Sequence, residues 1–361
     1  MGSPWPSRLY ARLAGQALRY GLPSHRRAGL LLSRAARIGI PQRPAAAVLR
    51  RFPRRPNPAL DTLLAEIAES WPRLAARAER LPPEPPPLSA LALTRAAGLT
   101  VFVLGAGETP LLVAKLPGDA SLLEAERAAL ERAEPVALAP RFLGRVGGAY
   151  VQEGLPGEPL EVVPPGQLQW NGGMRALTEA LARLGEATAR PEAPDELAPV
   201  ELALKHVDGA THRLLAAAWR DVSGLELSVL RHGDTSAQNC LFLDGRLAGL
   251  VDWERAQQRG APCFDVWNAA VAFLEHGVGL ARWSQENVAH TLRDAWLGTW
   301  GSEARAVAAA SATAAGVPER LLEPLEVVFF ARRLGRRLAR PDVYATTPAT
   351  AAAMLSLVCA R

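Results

Sequence analysis

A chain of 361 residues, 49% hydrophobic and 21% charged, is long and apolar enough to bury the cores of two lobes, but not many more. No run of about 18 apolar residues is available to span a bilayer, and Arg8, Arg12 and Arg19 interrupt any secretory-type apolar stretch at the start. The net charge of +5 conceals an asymmetry: residues 1–60 carry twelve Arg and no Lys, Asp or Glu, so the rest of the chain carries −7.

Residues 1–81 read as a basic, helical N-terminal extension. Over 7–20 the three arginines fall on one helical face, beside Leu9, Leu13 and Ala17. Two readings stay open: a segment packed on the body, or one whose residues 1–60 meet an anionic membrane surface or another polyanion. A further amphipathic helix is predicted over 60–81, interrupted at Trp71-Pro72. Pro82-Pro83-Glu84-Pro85-Pro86-Pro87 cannot be helix or inner strand, so 82–87 is placed as a linker between domains.

Residues 88–153 predict a small sheet with one helix. Strands are expected at 88–94, 100–104 and 111–116, a helix at 122–132, and two short strands within 141–151. Gln152, Glu153, Gly154 and Leu155 then leave the sheet as a hinge. The remainder, 154–361, is predicted mostly helical, at 175–189, 201–221, 280–300, 303–315, 319–339 and 350–360. Only Lys115 and Lys205 are lysines among 41 basic residues. An ammonium kept where guanidinium is otherwise universal marks both positions for inspection. Cys240, Cys263 and Cys359 are scattered, with no CxxC. That fits a reducing compartment and argues against a disulfide framework or a zinc site.

One hairpin interrupts the helical series. His232-Gly233-Asp234 leads to Asn239, and Asp252-Trp253-Glu254 follows. Asp244-Gly245 between short apolar runs is a two-residue turn signal. That turn sets Leu243 opposite Arg246 and, counted back, Asn239 opposite Leu250. Asn239 and Asp252 then share a face, with Asp234 on the loop feeding in. Two carboxylates and an amide so placed suit a divalent cation on nucleotide phosphates, with a separate acid for an incoming hydroxyl.

His232-Gly233-Asp234-x4-Asn239 with Asp252-Trp253-Glu254 resembles the catalytic core of the aminoglycoside phosphotransferase and choline kinase group, small-molecule relatives of protein kinases. Pro262-Cys263-Phe264-Asp265 resembles a further motif of that group. Lys115 in Leu-Val-Ala-Lys and Glu126 in Glu-Arg-Ala-Ala-Leu match its upper-lobe lysine and helix glutamate. The resemblance covers roughly 88–340. It implies an α+β, two-lobed protein-kinase-like fold, with a small antiparallel-sheet N-lobe and a mostly helical C-lobe. It further implies ATP and Mg²⁺ as cofactors and transfer of the γ-phosphoryl group to a hydroxyl of a small molecule: an aminoglycoside, an amino alcohol or a sugar-like compound. Asp234 would orient the acceptor hydroxyl, and Asn239 and Asp252 would hold Mg²⁺. Lys115 would hold phosphates, fixed by Glu126 with Glu124 as fallback, and the hinge Gln152, Glu153, Gly154 and Leu155 would bind adenine. The sequence departs from the group at Ala96-Ala97-Gly98-Leu99, with a single Gly, and at Leu184-Gly185-Glu186, where relatives often place a His.

Competing classes fare worse. A two-metal phosphoesterase needs several His and carboxylate ligands, and the six His are dispersed. A protein kinase would carry an activation segment where only a short run joins Asp252 to Asp265. A non-catalytic kinase-like nucleotide-binding module, docked through the basic N-terminus, is the alternative from another class. No specific nucleic-acid recognition is predicted. The expected location is cytoplasmic, with peripheral membrane contact through the basic leader as an open option.

Overall fold

A computed structural model describes residues 58–95, 98–105, 110–117, 120–159, 174–195, 199–236, 239–244, 246–277, 294–339 and 348–359. The basic stretch 1–57, Ala96-Ala97, Gly245 and most of the expected helix 280–300 lie outside them. The chain divides into two compact units. One runs up to Val163 and takes in Gln238–Glu254; the other comprises Pro164–Ala237 and Arg255–Arg361.

The first unit holds α1 (Pro58–Glu69) and α2 (Trp71–Ala75), then β1 (Ser89–Arg95), β2 (Gly98–Leu104), β3 (Pro110–Pro117), α3 (Ala120–Ala133), β4 (Phe142–Val146) and β5 (Ala149–Glu153). The strands form one antiparallel sheet in the order β1-β2-β3-β5-β4. Alternation decides its faces. Val101, Val103, Leu112, Ala114, Ala149 and Val151 are buried in one core. The intervening positions build a second surface, on which Thr100 pairs with Lys115, Lys115 with Tyr150, and Tyr150 with Arg145.

The apolar core includes residues on both sides of the run 82–87, where a division was expected. Leu63, Ile67, Trp71 and Leu74 recur at helical spacing and fill the same core as the strands. Residues 60–81 are therefore part of the sheet's packing, and the proline run joins segments of one core. The Trp71 indole N–H donates to the Pro82 carbonyl at 2.9 Å, which fixes that run. The expected helix 60–81 is also shorter: it re-forms after Ser70 with Pro72 in its first turn and stops at Ala75. Arg73 within it and Arg77 just beyond it donate to the carbonyls of Arg145 (2.7 Å) and Leu143 (3.4 Å) on edge strand β4. Guanidinium groups thus cover an edge that would otherwise offer free acceptors.

The predicted hairpin is present, with strands Cys240–Leu243 and Arg246–Leu250. It pairs with the short strand Glu158–Pro159 and lies in the first unit, although the sequence sets it among helices. Leu243 faces Arg246 as expected, and Asp244 takes φ 50°, the left-handed value a type I′ turn demands. The counted register then fails by one residue. Leu241 pairs with Gly249 and Cys240 with Leu250, so Ala248 is a bulge. Asn239 consequently accepts from the Val251 N–H (2.9 Å) and does not face Leu250. Next to the bulge the chain packs closely at Gly249, which has φ 150°; a Cβ there would lie 2.9 Å from the Leu138 carbonyl oxygen and 2.7 Å from Leu155 Cδ1.

The second unit is mostly helical: α4 (Arg175–Thr188), α5 (Pro199–His206), α6 (Gly209–Ser223), α7 (Phe264–Gly277), α8 (Thr299–Ala315), α9 (Leu322–Ala339) and α10 (Pro348–Cys359). With the antiparallel sheet of the first unit, this gives the expected α+β fold. The helix predicted over 201–221 is two helices, because Asp208 adopts an extended N-cap conformation and Gly209 has φ 54°. Aromatic rings from α7 and α9 centre the core: Phe264 and Phe329 meet edge to face at 5.4 Å, and Trp267 lies 5.6 Å from Phe329. Among the described residues no helix is long and apolar enough to cross a membrane.

Candidate active site

Strand β3 delivers Lys115 to the surface of the sheet that α3 crosses. Its Nζ lies 2.5 Å from Glu126 Oε1 and 3.5 Å from Asp252 Oδ1. Glu126 is 3% exposed, and an ion so far from water persists only when paired. Two carboxylates of distant sequence origin thus bracket one of the two lysines. The other, Lys205, is exposed in the last turn of α5. Glu124, the fallback partner, does not reach Lys115; it bonds Arg127, Arg145 and Tyr150.

Asp252 is held from both sides. Val251 before it is tied to the Asn239 carbonyl, and Trp253 after it is fully buried with its indole N–H on the Leu250 carbonyl at 2.9 Å. These anchors sustain φ 69° at Asp252, a left-handed conformation that Asp tolerates better than most residues. Trp253 is therefore an anchor and not a platform for a ligand.

At the hinge, Gln152, Glu153 and Gly154 are buried. The Glu153 and Gly154 amides are used internally, donating at 2.9 Å to the carbonyls of Arg141 and Leu111. Gly154 is required by contact: a Cβ would sit 2.0 Å from the Pro110 carbonyl oxygen. Among the described residues the Leu155 amide makes no backbone hydrogen bond.

Asp234 belongs to the second unit, whereas Lys115, Glu126, Asn239 and Asp252 belong to the first. Its loop is organised by Asp265 in the first turn of α7. Asp265 Oδ1 accepts from Arg231 (2.9 Å) and from the Gly233 amide (3.2 Å), and Oδ2 accepts from the His232 amide (2.5 Å). The Asp265 carbonyl accepts from the Thr235 hydroxyl at 3.2 Å. Buried His232 accepts the Asp234 N–H at Nδ1 (3.2 Å). Arg255 Nη1 lies 3.5 Å from Asp234 Oδ2. Next to Asp265, burial pushes the Cys263 thiol up to about 12, against the opposing pull of Arg231. It is a packed, unreactive thiol whose Sγ contacts the Ala308 carbonyl.

Gly233 is the tightest point of this loop. It has φ 79°, and a Cβ would lie 2.2 Å from the Arg255 carbonyl oxygen. Gly233→Ala must therefore displace the backbone bearing Asp234. It is expected to cost about 1–3 kcal/mol in urea unfolding and to depress activity beyond that loss.

Sequence reasoning found Asp265 and Arg231 only as members of motif stretches, without a role for either, and did not single out Arg255. The apolar company of Arg231 in Val229–Arg231 was the available signal, since a charge at the end of a buried strand needs a partner.

The family model described as "Phosphotransferase enzyme family" matches residues 92–310, more than half of the chain. No curated protein matches the sequence. Among solved structures, a thermostable mutant of aminoglycoside phosphotransferase APH(4)-Ia, in ternary complex with ADP and hygromycin B, aligns at 14% identity and TM-score 0.47, covering 75% of this chain and 93% of that one. Macrolide 2′-phosphotransferase MphH from Brachybacterium faecium aligns at 19% identity and TM-score 0.42, covering 79% and 98%. Choline kinase from Cryptosporidium parvum Iowa II aligns at 11% identity and TM-score 0.44, covering 75% and 88%. On the family match, the chain belongs to the phosphotransferase enzyme family.

Proposed function

We propose that this phosphotransferase moves the γ-phosphoryl group of ATP, with Mg²⁺, to a hydroxyl of a small molecule. The observation that carries the reading is Lys115 bracketed by Glu126 and Asp252. A lysine fixed by a helix glutamate can present its ammonium to phosphate oxygens. Asn239 and Asp252 supply hard oxygen donors, the type Mg²⁺ takes. Among the described residues no group of three His, Cys, Asp or Glu gathers to hold a metal. A short donor set of this kind suits an ion that completes its shell with phosphate and water oxygens. Bound there, Mg²⁺ would neutralise charge on the phosphates. Asp234 is assigned the acceptor hydroxyl, which it would orient and whose proton it would accept. The hinge is assigned adenine, with the Leu155 amide as donor, since those of Glu153 and Gly154 are already engaged.

For the acceptor, the net negative charge beyond residue 60 favours a cationic amino alcohol or aminoglycoside, and a sugar-like alcohol satisfies the same chemistry. The deciding experiment is Mg²⁺-dependent ATP consumption across aminoglycosides, amino alcohols, sugars and nucleosides. Binding of ATP without turnover on the whole panel would instead favour a non-catalytic module. Lys115→Met is expected to lower kcat/KM for ATP by about 100-fold. Steady-state kinetics on the acceptor found in the screen checks this, and a value near wild type removes Lys115 from the phosphate site.

A further inference from the structure

Glu124 has a defined task of its own. It lies two residues before Glu126 on α3. It accepts from the Tyr150 hydroxyl, from the Arg145 guanidinium and, at 2.7 Å, from Arg127 Nε. Tyr150 pairs with Lys115 across β3 and β5, and Arg145 pairs with Tyr150 across β4 and β5. Lys115, Tyr150 and Arg145 are therefore successive members of one cross-strand row. The helix meets that row twice, through Glu126 at the lysine and through Glu124 at its two neighbours.

We propose that Glu124, Tyr150 and Arg145 form a positioning clamp that seats α3 so that Glu126 meets Lys115. The proposal rests on the reading of Lys115 as the phosphate-holding residue. None of the three acts on nucleotide directly; each acts through the Glu126–Lys115 pair.

Two facts separate this cluster from an ordinary solvated ion pair. Arg145 and Glu124 are 58% and 39% exposed, and a lone pair so exposed contributes little. Here the pair is tied to a third group, because Arg145 also donates to the Tyr150 hydroxyl at 2.5 Å and its Cζ stands 4.5 Å from the Tyr150 ring centroid. The backbone of Arg145 is itself held, since its carbonyl accepts from Arg73 of α2 at 2.7 Å. The clamp thus fastens α3 to strands already fixed by the unit's main core. A helix free to slide by an ångström would lose the 2.5 Å contact at Glu126.

The test measures MgATP binding to the full chain by calorimetry, without acceptor. Tyr150→Phe removes one oxygen and keeps the ring; Glu124→Gln removes the charge and keeps the shape. Each is expected to weaken MgATP binding about fivefold, with the unfolding midpoint unchanged. Introduced together with Glu126→Gln, neither is expected to add a further loss, because the clamp acts only through Glu126. If Glu126→Gln weakens binding while Tyr150→Phe and Glu124→Gln leave it untouched, the clamp is overturned alone. Losses that add fully to that of Glu126→Gln overturn it too. A wild-type chain that binds no MgATP removes the underlying reading and the clamp with it.

Discussion

Asp234→Ala is expected to lower kcat by about 10³-fold or more while leaving the protein folded. A positioned proton acceptor contributes about 10²–10⁴-fold by itself, and phosphoryl transfer depends on little beyond positioning and charge neutralisation. The structural cost of this substitution is small. The Asp234 side chain is 34% exposed, and its ion pair with Arg255, itself 44% exposed, is of the weak surface kind. The backbone bond from Asp234 N–H to His232 survives the change. Asp252 needs a different variant, because its φ of 69° would strain alanine, whereas asparagine enters that conformation readily. Asp252→Asn should therefore keep the fold, remove one of the two anions beside Lys115 and abolish turnover. Steady-state kinetics paired with urea unfolding checks both. Near-wild-type turnover in either variant sinks the proposed assignment of roles.

What the sequence made legible was local. Asp244-Gly245 announced its turn, and the left-handed φ at Asp244 is the one that turn requires. Lys115 and Glu126 were readable from the scarcity of lysine, from their order on a strand and the helix after it, and from the resemblance; the observed contact chooses Glu126 over Glu124. What stayed hidden depends on atoms far away in the chain. The bulge at Ala248 adjoins Gly249, where the Leu138 carbonyl and the Leu155 side chain leave no room for a Cβ, and neither is visible from the hairpin's own residues. The run 82–87 looked like a boundary because proline excludes regular structure. Composition alone cannot say that the residues before and after it share a core. The break at Asp208-Gly209 was legible in principle, as an N-cap residue before a glycine inside the single helix expected over 201–221. Scarcity of lysine was an incomplete guide: one of the two is bracketed by carboxylates and the other is solvated.

The largest stability loss is expected from Asp265→Ala, at about 3–5 kcal/mol, the usual consequence of leaving a buried charge without its partner. Arg231 is 2% exposed and Asp265 5% exposed. The guanidinium is also stacked 5.2 Å from the Phe264 ring centroid, so it cannot swing out to water without unpacking α7. Alanine further deprives the His232 and Gly233 amides of their acceptor. That second loss distinguishes the site from a simple buried ion pair, whose replacement by apolar residues is often neutral. Arg231→Met combined with Asp265→Ala should recover the part of the loss due to the stranded charge. It should not recover the part due to the two amides, each worth about 1–3 kcal/mol when buried and unbonded. Denaturant unfolding of the single and double variants measures the division. Activity should fall in both even at temperatures where they remain folded, because the loop those amides fix is the one that carries Asp234. A cost below about 1 kcal/mol for Asp265→Ala would mean that the loop is held by other contacts.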